Sequence, residues 1–151
     1  MSMKRLSLIA AGGSLALMLA AYGFQHFGGL APCKMCLWQR WPHAAAIVLG
    51  GLMLIVPARV IAWLGALAAA TTSAIGFYHS GVEQKWWEGP SSCTGGGLSG
   101  LSGNALLDPN AAGKVVMCDD IAWAFLGLSM PTWNGIVSLA LALIWVAAAR
   151  R

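Results

Sequence analysis

Charge is what this sequence has least of. Lys, Arg, Asp and Glu together make up 9% of its 151 residues, against roughly 25% in an average soluble domain. With 58% hydrophobic residues and a mean hydropathy of +0.70, two classes fall away. A disordered chain needs low hydrophobicity and high charge. A soluble domain of this size needs more charge than this to coat its surface. An integral membrane protein remains, with membrane lipid as its first partner. The formal charge of +4 could suggest nucleic acid. The basic residues are scattered beside apolar runs, however, and form no patch or basic helix, so no nucleic-acid partner is expected.

Strand-like alternation and internal repeats are also missing. Four long apolar runs stand out instead, at about residues 6–27, 37–56, 60–78 and 133–149. Each is close to the length a helix needs to cross hydrocarbon, and runs of this kind read as helices because only helices and closed barrels satisfy their backbone there. The expected fold is an all-α membrane protein. It is a four-transmembrane-helix bundle forming a single integral membrane domain over residues 1–151.

The connections are unequal. Pro57-Ala58-Arg59 makes a tight turn, a short loop covers about 28–36, and one long loop covers about 79–132. That long loop holds all five acidic residues, Glu83, Glu88, Asp108, Asp119 and Asp120, and its stretch 93–113 is rich in Gly, Ser and Asn. It reads as a flexible loop rather than a second domain, with Glu83 and Glu88 as solvated charges. Within the runs, Gly50, Gly51, Gly65, Ala66 and Gly76 are candidates for close helix packing.

Lys4, Arg5, Arg59, Arg150 and Arg151 fall on one side of this map and Lys34, Arg40, Lys85 and Lys114 on the other. Lys114 lies far from any span and Arg40 sits within an apolar edge. The positive-inside rule therefore places both termini in the cytoplasm. A cleavable signal peptide is the competing reading of the first run. The run is long for that role and lacks a clear A-x-A site.

The four cysteines then acquire a compartment. Cys33 and Cys36, spaced as Cys-x-x-Cys, lie between the first two spans, and Cys93 and Cys118 lie between the last two. Two crossings separate these loops, so both pairs share one face, the exterior or periplasm, where disulfides form. Four cysteines allow three connectivities. A Cys-x-x-Cys pair often has a lowered thiol pKa, and Lys34 and Arg40 nearby favour the thiolate that attacks disulfides. Two structural disulfides are the bland alternative. A four-cysteine zinc site needs a second close-spaced pair, which Cys93 and Cys118 do not supply, so no metal is expected.

Other polar residues at the outer edge are few. Arg40 is costly at an apolar edge unless paired, hydrated or used, and a snorkelling side chain is its structural alternative. His79 could donate a hydrogen bond or handle a proton, or be a plain interfacial histidine. His43, four residues past Gln39, could face the same region. Trp38, Trp41, Trp86, Trp87 and Trp133 read as an aromatic belt.

Taken together, Pro32-Cys33-Lys34-Met35-Cys36-Leu37-Trp38-Gln39-Arg40, Tyr78-His79, and Cys93 and Cys118 followed by residues 123–133 (WAFLGLSMPTW) resemble the DsbB family of bacterial disulfide-bond formation proteins over nearly the whole chain. The resemblance implies a quinone-dependent protein-disulfide oxidoreductase of the inner membrane with its redox loops in the periplasm. Such a protein would reoxidise a soluble, thioredoxin-like, DsbA-like thiol oxidase and pass electrons to ubiquinone or menaquinone. It implies that Cys93 meets the partner oxidase, that Cys118 is its pair-mate and exchanges with Cys33, that Cys36 faces the quinone, and that Arg40 and His79 line the quinone site. The family loop between the second pair often holds a short amphipathic helix, for which the Gly-rich stretch here is poorly suited. A vitamin K epoxide reductase-like protein is the nearest enzyme alternative, but its Cys-x-x-Cys lies late in the bundle. A membrane scaffold with structural disulfides is the non-enzymatic alternative.

Overall fold

The structure, a computed structural model, describes residues 1–91, 93 and 117–151. Four helices run through them: α1 Met3–His26, α2 Lys34–Ile55, α3 Arg59–Glu83 and α4 Met130–Ala149. Each packs on its chain neighbour, and α1 closes the ring against α4, with α1 and α3 meeting only slightly. Three of them, α1, α3 and α4, are long and apolar enough to cross a membrane. The Gly-, Ser- and Asn-rich stretch, with Asp108, Lys114 and the question of a short helix there, lies outside the described residues.

The bundle is built mostly with small side chains inside and large ones outside, Trp145 and Met53 being among the exceptions. Ala10, Ala11, Ala46, Ala62, Ala66, Ala69, Ser7, Ser14 and Ser138 are buried, while Leu19, Val48, Ile55, Leu67 and Leu143 are exposed. Lipid tails are as apolar as leucine, so close backbone approach decides which residues lie between the helices. A Cβ on Gly65 would stand 2.5 Å from the ring of fully buried Trp145, and one on Gly50 would stand 2.2 Å from Ala11 Cβ. Gly51 has open space around it, so its expected role in packing is not met. Basic residues gather at the end opposite the cysteines. There the Lys4 ammonium donates to the Leu54 carbonyl near the end of α2 (2.9 Å), and Arg59 donates to the Arg151 carbonyl (3.3 Å).

Two helices begin and end differently from the expected runs. α2 starts at Lys34, so Cys36 stands in its first turn rather than in a loop. Cys33 is the N-cap, extended (φ −72°, ψ 170°), its sulfur accepting from the Cys36 N–H at 3.2 Å. α3 continues to Glu83, which places His79 and Glu83 in the helix and moves the start of the long loop from 79 to 84. Glu83 is buried, 7% exposed, which corrects its reading as a solvated charge.

The fold is also not purely helical. Ala124–Phe125 pairs antiparallel with Leu128–Ser129, β1 with β2, immediately before α4. Leu126 (φ 53°) and Gly127 (φ 78°) form its two-residue turn. Both positions are left-handed, as a twisted hairpin requires.

Candidate functional site

The site lies where the start of α2, the end of α3 and the segment around Cys118 meet. Cys33, Met35, Val82, Cys93 and Cys118 form a buried cluster, with Cys36 packed against it. Cys93 and Cys118 are joined by a disulfide, and the Cys118 N–H donates to the Cys93 carbonyl (2.9 Å). Cys33 and Cys36 are free thiols with their sulfurs 2.7 Å apart. The hydrogen bond to Cys36 and burial push the Cys33 thiol up, well above the usual thiol range. Cys33 therefore holds its proton and shares it with the Cys36 sulfur.

His79 stands between the two pairs. One reactive atom from each of Cys33, His79 and Cys118 falls in a group whose members are all within 4.8 Å of one another. The His79 Nε2 lies 3.1 Å from the Cys118 carbonyl oxygen and 3.6 Å from Cys33 Sγ. A carbonyl only accepts, so Nε2 carries the proton and Nδ1 accepts from the Gln39 amide at 3.1 Å. Gln39 Nε2 also donates to the Met35 carbonyl (3.2 Å), and its Oε1 accepts from Asn134 Nδ2 at 2.6 Å. Asn134 in turn donates to Thr72 (3.2 Å) and accepts from His43 Nε2 (2.9 Å). This buried polar chain crosses α2, α3 and α4 and fixes the tautomer and tilt of His79. Lys85, turned out of α3 at φ 60°, pairs with Asp119 next to Cys118 and holds that carboxyl below its usual range.

Beside the thiols is a cavity of about 360 Å³, within the size range of small-ligand sites. Its wall is mostly apolar, with Leu17, Ala21, Phe24, Trp123, Phe125 and Trp133 among its members, and Cys33, Cys36, Arg40, His43, His79 and Glu83 at its polar side. Phe24, Trp123, Phe125 and Trp133 make successive ring contacts along this wall. Arg40 reaches it with its guanidinium 4.6 Å over the Tyr22 ring and Nη2 donating to Gln25 (2.8 Å). Its Nε, the His43 Nδ1 and the Glu83 Oε2 are buried without a protein partner. Buried polar atoms left unpaired in an apolar cavity are what a ligand with a few hydrogen-bonding oxygens would satisfy.

A family model, Disulfide bond formation protein DsbB, matches residues 3–148. The chain belongs to the DsbB family. It is similar to Disulfide bond formation protein B of Xanthomonas oryzae pv. oryzae, at 35% identity over 91% of this chain and 83% of that protein. It is also similar to that of Methylococcus capsulatus, at 36% identity over 83% and 81% of the two chains. Disulfide bond formation protein B 2 of Pseudomonas aeruginosa is 28% identical over 83% and 78%. No solved structure matches the chain at a significant level. As a DsbB-family member the protein is a bacterial membrane oxidoreductase of disulfide bond formation.

All six residues singled out in the sequence come together here: Cys33, Cys36, Cys93, Cys118, Arg40 and His79. Sequence reasoning missed Asn134, whose signal was a lone amide near the start of the last apolar run. It also missed Glu83, four residues and one helical turn past His79 on the same face. His43, left open in the sequence, is buried and held by Asn134.

Proposed function

We propose that this DsbB-family protein is a two-disulfide relay, with Cys93 and Cys118 serving a reduced, thioredoxin-like thiol oxidase and Cys33 and Cys36 serving a membrane quinone. The observation that carries this reading is the gathering of Cys33, His79 and Cys118 within 4.8 Å beside an apolar cavity that Cys36 lines. The residues fit a quinone head. The Arg40 Nε and the protonated His79 nitrogen can donate to its oxygens, and the apolar wall suits its ring. When bound, a quinone supplies a sink for two electrons and two protons.

The thiol steps balance within the chain and its partner. A partner thiolate attacks Cys93, its bond to Cys93 forms, the Cys93–Cys118 bond breaks, and Cys118 leaves as thiolate. The partner's second thiol then displaces Cys93 and closes the partner disulfide. The Cys118 thiolate attacks Cys33 of an oxidised Cys33–Cys36 pair, and Cys36 leaves as thiolate at the cavity wall. Cys93 displaces Cys33 from Cys118, restoring the outer disulfide and leaving Cys33 and Cys36 reduced. The bonding described above, outer pair joined and inner pair free, is the arrangement that follows this exchange. His79 orients the Cys118 backbone and donates a hydrogen bond from Nε2 to the Cys33 thiolate as that sulfur is displaced.

In this reading all four helices span the inner membrane as one domain, both termini are cytoplasmic, and the cysteines face the periplasm. α2 carries Arg40, Pro42 and His43 in its cavity-side half, and inward placement of the charged groups reconciles them with a span. The test is quinone reduction by the protein in lipid vesicles with a reduced thioredoxin-like oxidase, using ubiquinone and menaquinone in separate runs. Replacement of Cys36 or Cys93 by Ser should abolish it. Full activity in either variant overturns the relay. A reporter fused after Arg151 should read as cytoplasmic.

A further inference from the structure

Glu83 is the buried carboxyl that the relay leaves without a task. It lies on α3, 7% exposed, and lines the cavity with Cys36. Its Oε2 has no protein partner. The Ser129 hydroxyl is the carboxyl's polar neighbour. From Ser129 a line of hydroxyls continues: Ser129 Oγ to Thr132 Oγ1 at 2.9 Å, then Thr132 Oγ1 to Ser80 Oγ at 2.6 Å. Ser129 is buried, whereas Thr132 and Ser80 are half-exposed, so the line runs from the cavity toward the outside. A hydroxyl both donates and accepts, which lets such a line pass a proton by exchanging bonds.

We infer that Glu83, with Ser129, Thr132 and Ser80, forms a proton path between the cavity and the outer surface. This rests on the relay proposed above. Closing the Cys33–Cys36 bond removes two electrons and two protons from the thiols, and the quinone-class acceptor consumes both. Glu83 takes a proton from the thiol side and hands it to the acceptor, and a proton that leaves along the hydroxyls is replaced by one entering the same way, so Glu83 ends each turnover unchanged. The other titratable or charged groups around the cavity are Cys33 at the start of α2, Cys36, Arg40 and His43 on α2, His79 on α3, and Asp120 before the hairpin. α1 and α4 contribute none to its lining. Asp120 is exposed, which leaves Glu83 as the buried carboxyl at this wall.

The test uses the full chain, reduced at Cys33 and Cys36 and reconstituted in phosphatidylethanolamine–phosphatidylglycerol vesicles. Without quinone, the rate at which N-ethylmaleimide alkylates Cys36 is followed against pH. Glu83→Gln should remove one titration step from the wild-type profile, and Glu83→Asp should keep it. With ubiquinone added, reoxidation of the dithiol should slow by about 10²-fold in Glu83→Gln. Thr132→Val keeps the carboxyl and removes one hydroxyl. It should leave the alkylation profile unchanged, slow reoxidation and enlarge the solvent deuterium isotope effect. An unchanged alkylation profile in Glu83→Gln overturns the role of the carboxyl, and a wild-type reoxidation rate in Thr132→Val overturns the hydroxyl path. If Glu83→Gln loses the Cys93–Cys118 disulfide or its helical circular dichroism, Glu83→Asp and Thr132→Val decide, and loss of the step in folded Glu83→Asp also counts against the carboxyl. If the wild-type protein reduces no quinone, the relay fails, and the quinone-free profile still decides whether Glu83 and Cys36 titrate together.

Discussion

His79 Nε2 lies 3.6 Å from Cys33 Sγ, so the sulfur that leaves or enters during exchange has a proton-bearing ring at its side. Replacing His79 with Ala should slow transfer from the outer to the inner pair by about tenfold or more, since a hydrogen bond to a charged sulfur contributes about 1.5–3 kcal/mol. Stopped reactions analysed by peptide mass spectrometry would show less Cys33–Cys118 mixed disulfide. An undiminished rate would make His79 a packing residue only.

The inner thiols should differ toward alkylation. Cys33 is pushed up by its bond to Cys36 and by burial, and a thiol with a raised pKa stays protonated and unreactive through neutral pH. Limited treatment with N-ethylmaleimide at pH 7 should label Cys36 first. Cys33 labelling should grow only as pH rises well into the alkaline range. Equal labelling at pH 7, read by mass spectrometry, would contradict the proton sharing.

Arg40 is held by Gln25 and the Tyr22 ring. Arg40→Met should raise the KM for quinone by about tenfold or more, since a charged hydrogen bond contributes about 1.5–3 kcal/mol. Gln25→Ala should raise it less, because the guanidinium survives but loses its tether. Steady-state kinetics with varied quinone separates KM from kcat. Unchanged KM in both variants counts against Arg40 as a quinone ligand.

Asn134→Leu should be among the more damaging single changes outside the cysteines. It strips Gln39 Oε1 and His43 Nε2 of their partners, and each buried group left unpaired costs about 1–3 kcal/mol. Thermal unfolding in detergent should show a lowered Tm. Exchange should slow as well, because Gln39 no longer fixes the His79 ring.

At the other end of the bundle, Gly65→Ala tests packing alone. The added methyl meets the Trp145 ring at 2.5 Å, and overpacking of this kind costs about 1–3 kcal/mol. The Tm should fall while kcat per folded molecule is retained.

The helices were legible in the sequence because hydrocarbon imposes long apolar runs. Their ends were not. The His79-Ser80-Gly81 stretch reads as a chain leaving the membrane, yet α3 continues through it, because these polar residues face the cavity and α4 rather than lipid. The hairpin was hidden for a different reason. Its turn is Leu126-Gly127 with leucine in a left-handed position, where the usual signal is Asn or Asp before Gly. The cysteines of the proposed relay, Arg40 and His79 were picked out by their spacing, by their place at the edges of the apolar runs and by the motif they resemble. Asn134 and Glu83 were not, because each acts through partners distant in sequence, Gln39 and His43 for one and the cavity wall for the other.

Cys33 is the N-cap of α2 and, in the proposed relay, an exchangeable sulfur. A cap accepts a backbone N–H, and a sulfur's power to accept changes when its proton is exchanged for a bond to another sulfur. The start of α2 is therefore better satisfied in one oxidation state of the pair than in the other. By linkage, that difference is also a contribution to the reduction potential of Cys33 and Cys36. The first turn of a helix thus helps set how strongly the protein oxidises its substrate.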